Sequence, residues 1–115
     1  MPLIRGRPFH EQALELAQKR GYKRQKAKTL YYLGYLDYAK NAYSTAIQIF
    51  EQSKSLYDEI KDPDGIVRVY RILGQMARER GDLSKAFEYL KKAEKYLPLL
   101  PKKSSSLGRV TLNEI

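Results

Sequence analysis

The chain has no cysteine and no tryptophan, a single histidine, and no apolar run long enough to cross a bilayer. Without thiols there is neither a disulfide framework nor a thiolate zinc site. One imidazole, His10, builds no metal cluster, and no carboxylate or nucleophile stands at a helical spacing that would pair with it for catalysis. Glu59, Asp62 and Asp64 are close in sequence, but Pro63 and the lack of further oxygen ligands argue against a calcium loop. Asp64 reads instead as the cap of a following helix. Glycine-rich phosphate cradles are missing, as is the long apolar segment of a signal peptide. These absences predict a chain of the cytoplasm that is no enzyme, holds no cofactor or metal, and has no business with membranes.

What is present is basic and rich in tyrosine. Lys and Arg number 22 against 13 Asp and Glu, a net charge of +9, which favours acidic partners. Ten Tyr stand against three Phe. At 115 residues there is room for one domain. Proline and glycine fall mostly at edges, and between them the apolar residues recur every three or four positions, as in Tyr43, Ala46, Ile47, Phe50, Leu56, Tyr57 and Ile60. The periodicity predicts an all-α chain with helices near 8–20, 24–39, 43–60, 64–79 and 83–97. Short turns at Lys40-Asn41-Ala42, Lys61-Asp62-Pro63 and Arg80-Gly81-Asp82 force neighbouring helices to run antiparallel. Residues 101–115 lose the pattern and read as a loose tail or a weak cap after a domain spanning 1–100.

A shift of forty residues aligns the chain with itself. Leu30, Leu33-Gly34, Ala46, Phe50 and Ser53 fall on Tyr70, Leu73-Gly74, Ala86, Leu90 and Ala93. Glycine inside a helix costs about 1 kcal/mol against alanine, so two at one phase imply a packing purpose. Small residues at 34 and 74, opposed by small ones at 46 and 86, would let paired helices approach, with 33, 50, 73 and 90 filling the layer between.

These positions resemble the tetratricopeptide repeat. The second unit carries Tyr70-x-x-Leu73-Gly74, Gly81-Asp82-Leu83, Ala86, Leu90, Ala93 and Pro98. The first carries Leu30, Leu33-Gly34, Ala46 and Phe50, and departs at Asn41, Ser53 and Asp58. A period of forty, against the usual of about 34, resembles the branch of kinesin light chains, Pins-type scaffolds and bacterial peptide sensors. The resemblance implies antiparallel hairpins, 24–60 and 64–97, stacked as a short right-handed superhelix. Helix 8–20 then corresponds to a second helix without its partner, leaving an apolar face around Leu14 open to self-association, as the C-terminal helix is too.

The same resemblance implies ligand-facing positions on each first helix: Lys28, Tyr31, Tyr35 and Tyr38, then Arg68, Arg71, Gln75 and Arg78. Read by helical phase, both quartets lie off the face of Leu30, Leu33, Ile72 and Leu73. Three phenols and three guanidiniums would line a groove for an acidic or amphipathic peptide. The chaperone-type carboxylate clamp is not matched, because Tyr31 and Tyr35 replace its Lys and Asn. A rival reading is phosphate binding, to RNA or DNA, by the basic turn Lys19, Arg20, Lys23, Arg24, Lys26. Arg5-Gly6-Arg7-Pro8 resembles the core of an AT-hook. The third reading is purely architectural, as a segment of a larger scaffold or a homo-oligomer.

Overall fold

In the computed structural model, residues 6–100 are described. The expected tail 101–115, and Arg5 of the Arg-Gly-Arg stretch, lie outside the described residues. Five helices follow one another: α1 Arg7–Arg20, α2 Lys23–Ala39, α3 Tyr43–Glu59, α4 Pro63–Glu79 and α5 Leu83–Tyr96. A 3₁₀ turn at Leu97–Leu99 shortens the last of them by one residue against expectation, at the point where Pro98 intervenes. There is no strand among the described residues.

The turns reveal a finer period than the sequence repeat. Gly21, Asn41, Lys61 and Gly81 all adopt left-handed backbone, with φ of 70°, 65°, 55° and 82°. They are twenty residues apart. After each, the next amide closes the preceding helix: Tyr22, Ala42, Asp62 and Asp82 donate to the carbonyls of Ala17, Asp37, Tyr57 and Ala77, each at 2.9 Å. α2, α3 and α4, each with the turn that follows it, are therefore twenty-residue units, and two such steps make the forty-residue repeat. The cap of α4 is Asp62, not Asp64: its Oδ1 accepts the Gly65 amide at 3.2 Å. Asp64, in the first turn, pairs with Arg68 at 3.1 Å.

Packing runs between consecutive helices, most closely α2 with α3 and α4 with α5. Both repeat glycines are buried at these two seams, each against a large residue, and the Ala86 backbone also comes close to Gly74. A Cβ on Gly34 would lie 2.8 Å from the Phe50 ring, and one on Gly74 would lie 3.1 Å from Leu90. The glycines are slots for the large residue opposite. Gly65 does the same between α3 and α4, where the Tyr57 ring lies across it. Ser53 is fully buried and donates to the Ala27 carbonyl at 2.6 Å, which explains a serine where the second unit has Ala93.

α1 packs on α2 through a polar version of the α3–α4 contact. Arg7 forms an ion pair with the buried Asp37, and forty residues on Ile47 and Ala77 hold the same relation. The second arginine of the AT-hook-like stretch is thus engaged within the fold. His10 stacks on Tyr32, ring centroids 5.3 Å apart. Leu14 is half-buried; the apolar side chains left open on α1 are Phe9 and Leu16, seven residues apart on one stripe.

Candidate peptide-docking site

α2 and α4 lie side by side across α3, and a cleft of about 300 Å³ opens between them. It is lined by Tyr31 from α2, by Arg68, Arg71 and Gln75 from α4, and by Val67 and Ile72 at its base. Asp64 and Leu100 complete the rim. Four of the eight expected groove residues therefore meet in one place.

The tyrosines are less free than their spacing predicts. Tyr31, Tyr35 and Tyr38 are half-buried and pack against the core, so they share it with Ile72 and Leu73 instead of standing apart from it. Tyr31 lies 5.5 Å from the Phe50 ring, centroid to centroid, and Tyr35 meets Tyr38 edge-on at 5.9 Å. Burial raises the Tyr31 pKa, opposed in part by the nearby Arg68 charge. Helical phase placed these rings on one side of α2; it could not show that α4 lies against that side.

Tyr38 takes part in a contact the sequence reading missed. Its hydroxyl donates to Glu79 at the end of α4, and Gln75 donates to the other carboxylate oxygen at 3.2 Å. Partial desolvation and this bond push the Tyr38 pKa up to about 12, while the same bond, with that of Gln75, holds Glu79 below the usual carboxylate value. Since the Glu79 pKa is lowered on folding, its contribution is present above the unfolded value and is lost as pH falls through the folded one. For Tyr38 the sign reverses: its contribution is full below about 10 and fades as pH rises from there towards 12. Tyr38→Phe is expected to raise the Glu79 pKa towards the ordinary value, measurable by carboxyl-carbon NMR titration. An unmoved Glu79 titration would contradict the contact.

The positive residues divide. Arg68 is shared with Asp64. Arg71 and Arg78 have no ion pair among the described residues, and Lys28 is exposed on α2. Arg78 does not reach the Tyr31 cleft; it lies with Arg71, Gly74, Gln75 and Leu90 at the open side of α4. Two members of the basic turn are drawn into the fold: Lys23 pairs with Glu59 at 2.6 Å and Arg24 with Asp62 at 3.3 Å, tying α2 to the α3–α4 turn. Lys19, Arg20 and Lys26 remain around it, Lys19 and Arg20 exposed. No group of three or more His, Asp or Glu side chains is placed to hold a metal ion, and no helix is long and apolar enough to cross a membrane, among the described residues.

No family model matches the chain. No solved structure matches it either. Two curated proteins do: tetratricopeptide repeat protein 29 from Homo sapiens and from Macaca fascicularis, each 28% identical over 80 residues. The match covers 70% of this chain and 17% of the length of either relative. The likeness and the two stacked hairpins, each with a glycine slot at the same phase, agree on a tetratricopeptide-like helical repeat.

Proposed function

We propose that the chain is a non-catalytic protein-interaction module that holds an acidic peptide segment in the cleft between α2 and α4. The observation that carries this reading is Arg71, an exposed guanidinium on the cleft wall without an acid opposite it among the described residues, set beside the Tyr31 ring. Arginine offers forked donors to a carboxylate, and a tyrosine already held by packing gives contact area at little further entropy cost. Gln75 adds an amide within the same cleft. The repeat proteins this chain resembles give the reading its class, and the forty-residue period supports placing it with the longer-period branch. Nucleic-acid binding through residues 19–28 has less to work with, since Lys23 and Arg24 already have acidic partners.

A fluorescein-labelled, glutamate-rich peptide titrated with the chain should give saturable anisotropy. Arg68→Glu together with Arg71→Glu should weaken it tenfold or more while the circular dichroism stays helical. Because part of the affinity comes from contact with Tyr31, added salt should cost less than it costs a phosphate-tracking protein. Undiminished binding by the double variant would overturn the cleft, and stronger, steeply salt-dependent capture of a single-stranded RNA would favour the basic turn.

A further inference from the structure

The forty-residue register states what the far end of the molecule is shaped to receive. In α3, Tyr43 and Ile47 are covered from the α4 side, and Phe50, seated over Gly34, has no exposed surface: the Arg80 guanidinium lies 4.9 Å from the Tyr43 ring centroid, and Ile47 shares a cavity with Leu73, Met76 and Ala77. The same positions of α5 are Leu83, Phe87 and Leu90, and they are 68%, 65% and 47% exposed. Beside them opens a cleft of about 170 Å³ lined by Arg71, Gly74, Gln75, Arg78 and Leu90. Each of these five stands forty residues after one of Tyr31, Gly34, Tyr35, Tyr38 and Phe50, of which Tyr31 lines the cleft with α4, Tyr38 bonds Glu79 of α4, and Phe50 lies over Gly34. The end face therefore repeats, position for position, a surface that meets a helix inside the same molecule, with other side chains at most of those positions.

We propose that this face docks an amphipathic helix of another protein, apolar along the side that covers Leu83, Phe87 and Leu90 and acidic along the edge that meets Arg71 and Arg78. The shape comes from α4, which fills the equivalent place on α3. The charge comes from the register. Tyr38 meets Glu79 across the internal seam, and its counterpart Arg78 has no acid across from it among the described residues. A carboxylate at the Glu79 position of an incoming helix completes a charge-assisted contact there. Charge also selects among occupants. A second copy would bring the same two guanidiniums on a chain of net charge +9. Residues 101–115 would bring Lys102, Lys103 and Arg109 against Glu114. Both set like charges on the rim, where an acid-edged helix sets opposite ones. Arg71 borders both this face and the Tyr31 cleft, but Phe87, Leu83 and Arg78 belong to the end face alone, so the two surfaces fail separately.

The probe is a helix-stapled, fluorescein-labelled peptide copying residues 62–80 with Arg68→Glu, so that acids stand at the positions facing Arg71 and Arg78. Full-length chain should bind it saturably. Phe87→Glu should weaken binding at least tenfold, with Leu83→Lys as a second variant; both side chains are exposed, so unchanged circular dichroism is expected. Arg78→Glu should also weaken it, and Glu79→Arg in the probe should restore the affinity. Arg68→Glu in the chain, which weakens the cleft, should leave this binding alone. No saturable binding, or binding indifferent to Phe87→Glu, overturns the proposal. So does a wild-type dimer that Phe87→Glu dissociates, which gives the face to a second copy. Binding that tightens tenfold when Leu107, Val110 and Leu112 are replaced by Ser also overturns it, by giving the face to the chain's own tail.

Discussion

Gly65→Ala is expected to destabilise the chain by about 2–3 kcal/mol, through a single added methyl group. The new Cβ would lie within the Tyr57 ring, and the nearest atoms are those at the root of the ring, not its hydroxyl end. Tyr57 is buried, so the ring cannot swing clear without moving α3 against α4. A helix-propensity gain of at most about 1 kcal/mol opposes this, and less in the first turn, where Gly65 sits. Total stabilities of such domains are about 5–15 kcal/mol, so the loss should show as a clear fall in the urea midpoint. The internal repeat supplies the control. Forty residues earlier the pair is Ala17 and Gln25, small on the first helix and large on the second. Tyr57→Ala alone should cost about 3–5 kcal/mol for the emptied space. Combined with Gly65→Ala it should cost less than the sum, because the new methyl group then enters a cavity instead of a ring. A neutral Gly65→Ala would mean that α3 and α4 do not approach as closely as described.

Phe50→Ala and Leu90→Ala make the second test, since the two residues share one phase of the repeat. Phe50 has no exposure, fills the Gly34 slot and touches the Tyr31 ring. Its removal should cost about 3–5 kcal/mol. Leu90 also lies across its glycine, Gly74, but nearly half of it faces solvent. Truncating it removes about half the burial of a leucine side chain, so a cost of about 1 kcal/mol is expected. Urea unfolding of the two variants reads the difference directly. Equal costs would show that α5 is covered in the free chain, and would also remove the docking face proposed for it.

The parts legible in the sequence were those governed by short range. Helix ends fall within one residue of expectation because the apolar period stops there and a turn residue follows. The repeat was legible because Gly34 and Gly74 are costly in a helix unless something large needs their space. The Asp64 cap was misplaced because Pro63 suits the first helical position, which moves the cap back to Asp62. Other features left weaker signals. Asp37 stands on α2 where the second unit has Ala77; a charge at a core phase called for a partner, but that partner, Arg7, is thirty residues away. Glu79 gave no signal at all, since its role depends on where Tyr38 lies across the α2–α4 seam.

Residue type and spacing alone settled that this chain is helical, where each helix begins and ends, and that one hairpin is built twice, because caps and periodicity act within about four residues of each atom. Which of two matching faces is covered was decided only when the helices assembled. Tyr38 and Arg78, or Ile47 and Phe87, occupy the same local phase, yet one of each pair lies against α4 and the other faces solvent at the end of the stack. Burial depends on what stands across the seam, and that neighbour comes from twenty or forty residues away.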